Sequence, residues 1–154
     1  MSPFVKVDIT EVVKRSVETV AGKARKKNIK LEVACAGKEK LVDGIEEHLY
    51  RAILNLLDNA VNYTAAGGKV SVSCQSAGGK LEVIVTDNGS GIPPEHLPRL
   101  FERFYRVDQA RSRELGGTGL GLAIVKHVMN LHNGTVEVES EVGKGSKFIL
   151  IFPL

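Results

Sequence analysis

Residues 86–126 read TDNGSGIPPEHLPRLFERFYRVDQARSRELGGTGLGLAIVK, and the order of parts in this stretch decides the fold. Asp87 follows Leu81–Val85, an alternating run that reads as a strand. A long polar segment comes next, carrying Arg103, Arg106, Arg111 and Arg113. Gly116, Gly117, Gly119 and Gly121 then precede or open an apolar helix over 119–131, which Asn133-Gly134 ends. A carboxylate to read a base, a long cover and a glycine turn to hold phosphate is the order of a nucleotide pocket. The glycine turn follows a loop rather than a strand, so a classical dinucleotide-binding order fits poorly and the likeness to GxGxxG is superficial.

Each part also has a plainer explanation. Asp-Asn-Gly-Ser-Gly at a strand end is good turn chemistry. In the functional alternative, a buried carboxylate there accepts a hydrogen bond from the amino group of adenine, and Gly89 and Gly91 let the backbone pass close to the ring. Backbone N–H groups at a glycine-rich helix start, with the helix dipole, make an anion site; helix–sheet packing is the competing reason for those glycines. About 25 residues separate the two boxes, longer than an ordinary connection. Some of its arginines suit phosphate, others simple solvation.

Working outward, residues 45–63 form an amphipathic helix. Leu49, Ala52, Ile53, Leu56, Leu57, Ala60 and Val61 share one arc; His48, Arg51, Asn55, Asp58, Asn59 and Asn62 share the other. Asn is roughly 0.6 kcal/mol worse than Ala in a helix, and an exposed face is better served by Lys and Glu. Asn55 and Asn59, one turn apart, offer neutral oxygens that suit Mg²⁺ beside a polyphosphate.

The remaining pattern is a strand at 4–7, a helix from Asp8 or Thr10 to about Lys26, a strand at 29–34, a short one at 40–43, a hairpin of 69–75 with 80–86, and a final hairpin of 135–140 with 147–152. Pro93, Pro94 and Pro98 limit 95–104 to short helical turns. This is an α+β two-layer sandwich, one mixed sheet with helices on one face. At 154 residues, 43% hydrophobic and 25% charged, the chain suits one domain, 1–154. A net charge of +3, spread along the chain, is no sign of nucleic-acid binding. No apolar run approaches the ~18 residues of a membrane span, and the N-terminus has no signal-peptide pattern. Cys35 and Cys74, far apart with no CxxC, read as two buried free thiols in a reducing compartment.

Taken together, these residues resemble the ATP-binding catalytic domain of sensor histidine kinases, within the wider Bergerat-fold group of gyrase, Hsp90 and MutL. The resemblance covers essentially the whole chain. NLLDNAVNYT resembles the N box, DNGSG the adenine box, FERFYR the F box, GGTGLGLAIVK the second glycine box and GKGSKF the terminal glycine motif. Phosphate-responsive, membrane-anchored sensor kinases look most similar.

The resemblance implies roles. Asn59 ligates Mg²⁺, supported by Asn55. Asp87 binds the adenine amino group, Gly89, Gly91 and Ile92 lie at the ring, and Ser146 sits near Asp87. Tyr63 packs near phosphate or ribose. Gly117, Thr118, Gly119, Leu120, Gly121 and Leu122 face the phosphates. Phe101 and Phe104 anchor the lid, and Arg103 or Arg106 reaches the γ-phosphate. Where Asn62 stands many relatives carry a phosphate-binding Lys, so that contact is lost or weaker here.

The implied activity is two-component signalling: γ-phosphoryl transfer from ATP·Mg²⁺ to a histidine on a separate dimerisation domain, with a response regulator downstream. Asn55 stands where the group's ATPases carry a water-activating Glu, and an amide cannot be that base. None of His48, His96, His127 and His132 has the acidic follower and helical context of the phosphoacceptor; each reads as an ordinary surface helix or loop position. The expectation is a domain that binds ATP or ADP as a monomer, cannot phosphorylate itself, makes no direct membrane contact, and is the cytoplasmic part of a membrane-anchored protein. Polar Asp108–Glu114 is expected to be mobile and to collapse on nucleotide. The alternatives are an ATP-gated ATPase module of the gyrase, Hsp90 and MutL kind, an anti-sigma-type Ser/Thr kinase, and a purely structural α+β domain.

Overall fold

The computed structural model describes residues 3–35, 40–105 and 121–154. Among the described residues, seven strands and three α-helices follow in the order β1 (Val5–Asp8), α1 (Ile9–Lys26), β2 (Lys30–Ala34), β3 (Leu41–Gly44), α2 (Glu46–Tyr63), β4 (Lys69–Ala77), β5 (Lys80–Asp87), a 3₁₀ turn (Pro94–Arg99), α3 (Gly121–Leu131), β6 (Thr135–Glu141) and β7 (Gly145–Pro153). Five strands form one sheet, β2-β4-β5-β7-β6. Only β2 and β4 run parallel; the other pairs are antiparallel. The expectation of a single sheet needs one correction. β1 and β3 leave it and pair with each other, Val7 opposite Val42, both buried.

Strand alternation places the core. Val70, Val72 and Cys74 of β4, Leu81, Val83 and Val85 of β5, and Phe148, Leu150 and Phe152 of β7 all point to the helical layer and are buried. α2 buries the seven apolar residues read from its sequence. Its polar stripe therefore stays clear of the core.

Local chemistry sets the ends. Asp8, not Thr10, caps α1, its carboxylate accepting from the Thr10 N–H at 3.0 Å. α2 has no basic residue in its last turn; Lys27 of the α1 end supplies one, donating to the Val61 carbonyl at 2.8 Å and that of Asn62 at 3.2 Å. The β4–β5 turn is tighter than the four residues the sequence suggested. Ala77 pairs with Lys80 across Gly78 and Gly79, whose φ values of 58° and 76° fit a two-residue hairpin turn.

The reading of two free thiols is overturned. β2 lies parallel to β4 with Ala34 opposite Ser73, so Cys35 falls opposite Cys74, Cα atoms 4.8 Å apart, and the two are disulfide-bonded. A parallel register between strands distant in sequence is invisible to a search for local Cys spacing.

Candidate nucleotide-binding site

The candidate site lies where the end of β5, the β6–β7 hairpin and the C-terminal end of α2 meet. Asp87 is the last residue of β5 and faces the helical layer opposite Ser146 of β7. One carboxylate oxygen accepts from the Gly89 N–H at 2.9 Å. No cation pairs with it among the described residues. Burial pushes the Asp87 carboxyl above the usual carboxylate range, against the opposing pull of the Gly89 and Ser146 backbone hydrogen bonds. Such a group is suited to an external N–H donor.

The adenine-type box is fixed from both sides. A Cβ at Gly89 would lie 2.4 Å from the Tyr63 carbonyl at the end of α2. Gly91 has φ 76°, and a Cβ there would lie 2.1 Å from the Glu141 carbonyl in the β6–β7 turn. Both glycines therefore have a packing requirement against distant backbone, which neither the turn reading nor the ring reading of the sequence had assigned them. Asn88 closes the corner, its side-chain oxygen accepting from the Lys69 N–H at 2.8 Å.

On α2, the Asn55 amide donates to the Gly121 carbonyl at 3.3 Å, joining the N-box helix to the first turn of α3. Two boxes more than sixty residues apart in sequence are thus neighbours, with Leu122 in the same turn, partly buried against the core. Asn59 lies one turn further along α2, half-buried, with no side-chain hydrogen bond among the described residues. Its amide oxygen is free to act as a neutral ligand. The described residues contain no cluster of three His, Cys, Asp or Glu for a metal. An ion here would thus rest on amide, phosphate and water oxygens, the donor set that suits Mg²⁺. Tyr63 ends α2 beside the Asp87 box, its carbonyl meeting the Ser90 N–H at 3.4 Å.

The F-box segment divides in two. Leu97 and Leu100 pack on the core, and Phe101 meets Phe148 edge-on at 6.3 Å. Phe104 does not anchor. It is 62% exposed, with φ 66°, a left-handed conformation that costs an aromatic residue about 1–3 kcal/mol. The reversal brings Tyr105 back, its hydroxyl hydrogen-bonded to His96 Nδ1 and its ring under the Arg99 guanidinium at 4.5 Å. Arg103 is exposed, 5.7 Å over the Phe104 ring. Arg106, Gly117, Thr118, Gly119 and Leu120, and the stretch 108–114 expected to be mobile, lie outside the described residues.

Two residues have roles the sequence reading did not assign. Ser140 Oγ accepts from the Ile92 N–H at 2.7 Å, donates to the Gly145 carbonyl at 3.0 Å and lies 2.8 Å from Ser146 Oγ. The available signal was parity: Val136, Val138 and Ser140 face inward, and a hydroxyl stands where a third apolar residue would be usual. His132 is buried, not a surface position. Its Nδ1 donates to the Val128 carbonyl at 2.8 Å, its Nε2 accepts from the Ile45 N–H at 3.1 Å, and its ring stacks on Phe4.

Residues 44–154 match the model of the histidine kinase-, DNA gyrase B- and HSP90-like ATPase family. The chain is 44% identical over 148 residues to the sensor-like histidine kinase SenX3 of Mycobacterium tuberculosis, covering 96% of this chain and 36% of that protein. It is 46% identical over 123 residues to the sensor histidine kinase CusS of Escherichia coli, covering 80% and 25%. Among solved structures, the mycobacterial sensor histidine kinase MprB superposes with a TM-score of 0.83 at 37% identity, covering 97% of both chains. The catalytic domain of histidine kinase ThkA does so with a TM-score of 0.85 at 25% identity, covering 99% and 96%. The fold and site define a nucleotide-binding domain of the Bergerat class. Within that class, the chain belongs to the histidine kinase-, DNA gyrase B- and HSP90-like ATPase family, and its similarity runs to the sensor histidine kinases. It spans about a third of the length of the curated relatives it matches.

Proposed function

We propose that this chain binds ATP with Mg²⁺ and forms the catalytic half of a protein histidine kinase, with the acceptor histidine on a separate dimerisation domain of the same kinase. The observation that carries the reading is Asp87: a half-buried carboxylate with a raised pKa and no cationic partner among the described residues, beside an α2 stripe of neutral amides. Asp87 accepts from the adenine amino group, with Gly91 and Ile92 lining the ring and Ser146 beside it. Asn59 would hold Mg²⁺, which when bound would supply neutralisation of phosphate charge. Asn55 keeps the start of α3 against the N box, with Gly121 and Leu122 at the phosphate end. Arg103 approaches the γ-phosphate, a role Arg106 shares.

Phosphoryl transfer asks the protein chiefly for alignment and charge neutralisation. An amide at Asn55 cannot take a proton from water, which favours transfer to an imidazole over hydrolysis. His132 is committed at both nitrogens to internal hydrogen bonds, which argues against it as acceptor. The proposal extends to a response regulator downstream, a monomeric domain, and a membrane-anchored parent whose cytoplasmic side carries this domain. Among the described residues no helix is long and apolar enough to cross a membrane.

Calorimetric titration with ADP and a non-hydrolysable ATP analogue, with and without Mg²⁺, tests the reading on wild type and Asp87→Asn. Micromolar-range binding that the substitution abolishes is expected. Absence of binding by either nucleotide would overturn it.

A further inference from the structure

Ser140 carries the inference furthest. It sits near the end of edge strand β6, opposite Ser146 across the β6–β7 hairpin. Its hydroxyl accepts from the Ile92 N–H at 2.7 Å and donates to the Gly145 carbonyl at 3.0 Å. Both directions are fixed, since an N–H can only donate and a carbonyl can only accept. The peptide unit that Ser140 holds by its oxygen joins Gly145 to Ser146. Its N–H points the opposite way, as in any trans peptide, and donates to the carboxylate of Asp87, the strand partner of Ser146. A hydrogen bond at the oxygen of a peptide fixes its plane and strengthens its N–H as a donor. Among the described residues, no charge takes over this role. The charged groups of the hairpin beside Asp87 pair with one another, Lys144 with Glu141 at 3.5 Å and Lys147 with Glu139 at 3.7 Å. β4 brings Lys69, paired with Glu32 at 3.0 Å, and α2 brings Tyr63. What acts on the Asp87 carboxyl is burial on one side and the N–H groups of Gly89 and Ser146 on the other.

We infer that Ser140 is a positioning residue for nucleotide binding: through the Gly145–Ser146 peptide it aims an N–H at the Asp87 carboxylate, and through Ile92 it holds the adenine-box loop against the same hairpin. The inference rests on the reading of Asp87 as the carboxylate that binds the adenine amino group. It goes beyond that reading by assigning to β6, outside the sequence boxes, the contact that keeps this carboxylate ionised and in place. A hydrogen bond to the charged form of a carboxyl favours that form. Without the Ser140 hydroxyl, the Ile92 N–H and the Gly145 carbonyl both lose a partner, and the peptide between Gly145 and Ser146 is free to tilt. Asp87 then keeps its proton to higher pH, and a protonated acid is the poorer acceptor for an amino group.

The test has two readouts on this chain: carbon-13 NMR titration of the Asp87 carboxyl without nucleotide, and ADP calorimetry across the same pH range. Ser140→Ala is expected to raise the Asp87 midpoint by about 0.5–1 pH unit, and to lower ADP affinity about three- to tenfold below both midpoints. Ser140→Thr, which keeps the hydroxyl, is expected to return both values toward wild type. Ser16→Ala is the control. It removes a fully buried hydroxyl that donates within α1, to the Val12 carbonyl at 2.9 Å, and is expected to cost stability without moving the midpoint. If Ser140→Ala fails to fold, Ser140→Cys is read in its place, a near-isostere with a weak donor, with the same direction expected. A merely structural Ser140 would weaken ADP by one factor at every pH and leave the Asp87 midpoint where it is in wild type. That result overturns the inference and leaves the nucleotide site standing. Failure of wild type to bind ADP at any pH would overturn the adenine reading itself, and this inference with it.

Discussion

At the scale of single residues, Asp87 gives the sharpest predictions. Its folded pKa lies above the unfolded value because burial disfavours the carboxylate. The folded chain therefore holds more protons than the unfolded one between those two values, and the Asp87 contribution to stability falls as pH rises through that window. Adenine acts oppositely, since its amino group donates to the ionised form. ADP affinity is expected to drop as pH falls through the raised value, and proton uptake by free Asp87 is expected to appear as proton release on binding. Calorimetry in buffers of different ionisation enthalpy reads both; a flat wild-type profile would refute the assignment. For Asn59→Ala, the expectation is loss of the Mg²⁺-dependent gain in analogue affinity, with Mg²⁺-free ADP binding retained. Gly91→Ala meets a left-handed φ and a carbonyl at 2.1 Å. Destabilisation of about 2 kcal/mol or more is expected in urea unfolding.

At the scale of elements, α2 was legible because burial and amphipathic period agree: all seven residues of its apolar arc are buried. The two hairpins were legible from alternation and turn glycines. What escaped was lateral pairing. β2–β4 is a parallel, non-local register, and it places Cys35 against Cys74 across a separation of 39 residues. Closing a loop of that length stabilises by about 4 kcal/mol in the chain-entropy account, or on the order of 10 °C for a domain this size. Reductant, or Cys35→Ser, is accordingly expected to lower the melting temperature while leaving wild type without reductant unchanged. Equal melting temperatures with and without reductant, with both thiols alkylated after reduction, would count against the staple. The F box shows the same limit. Its pattern marks three aromatics, yet only the fold shows that Phe101 packs, Phe104 projects outward and Tyr105 returns to His96.

At the scale of the molecule, one helical layer on one sheet face carries three separate sequence boxes to one place. α2 is the hub: Asn55 reaches Gly121, the Tyr63 carbonyl stops Gly89, and the Asn59 amide faces no internal partner among the described residues. On the proposed reading, this arrangement positions a nucleotide for an acceptor histidine on a separate domain. Incubation of this chain with γ-labelled ATP is expected to give no acid-labile, base-stable phosphohistidine on it, and label on a histidine-bearing dimerisation domain when one is added. Stable phosphohistidine on the isolated chain would contradict that division of labour.

The sequence alone determined the class of fold, the amphipathic helices, the two hairpins, and the candidate residues Asn55, Asn59 and Asp87, because period and turn chemistry are local properties; Ser146 entered only through the family resemblance. Tertiary structure decided the rest. It separated β1–β3 from the main sheet, bridged Cys35 to Cys74, buried His132 and gave Ser140 three hydrogen-bonding partners. Each of these depends on which distant segments lie side by side. That is settled by burying one common core and satisfying every polar group at its edge, and no single segment of the chain encodes it.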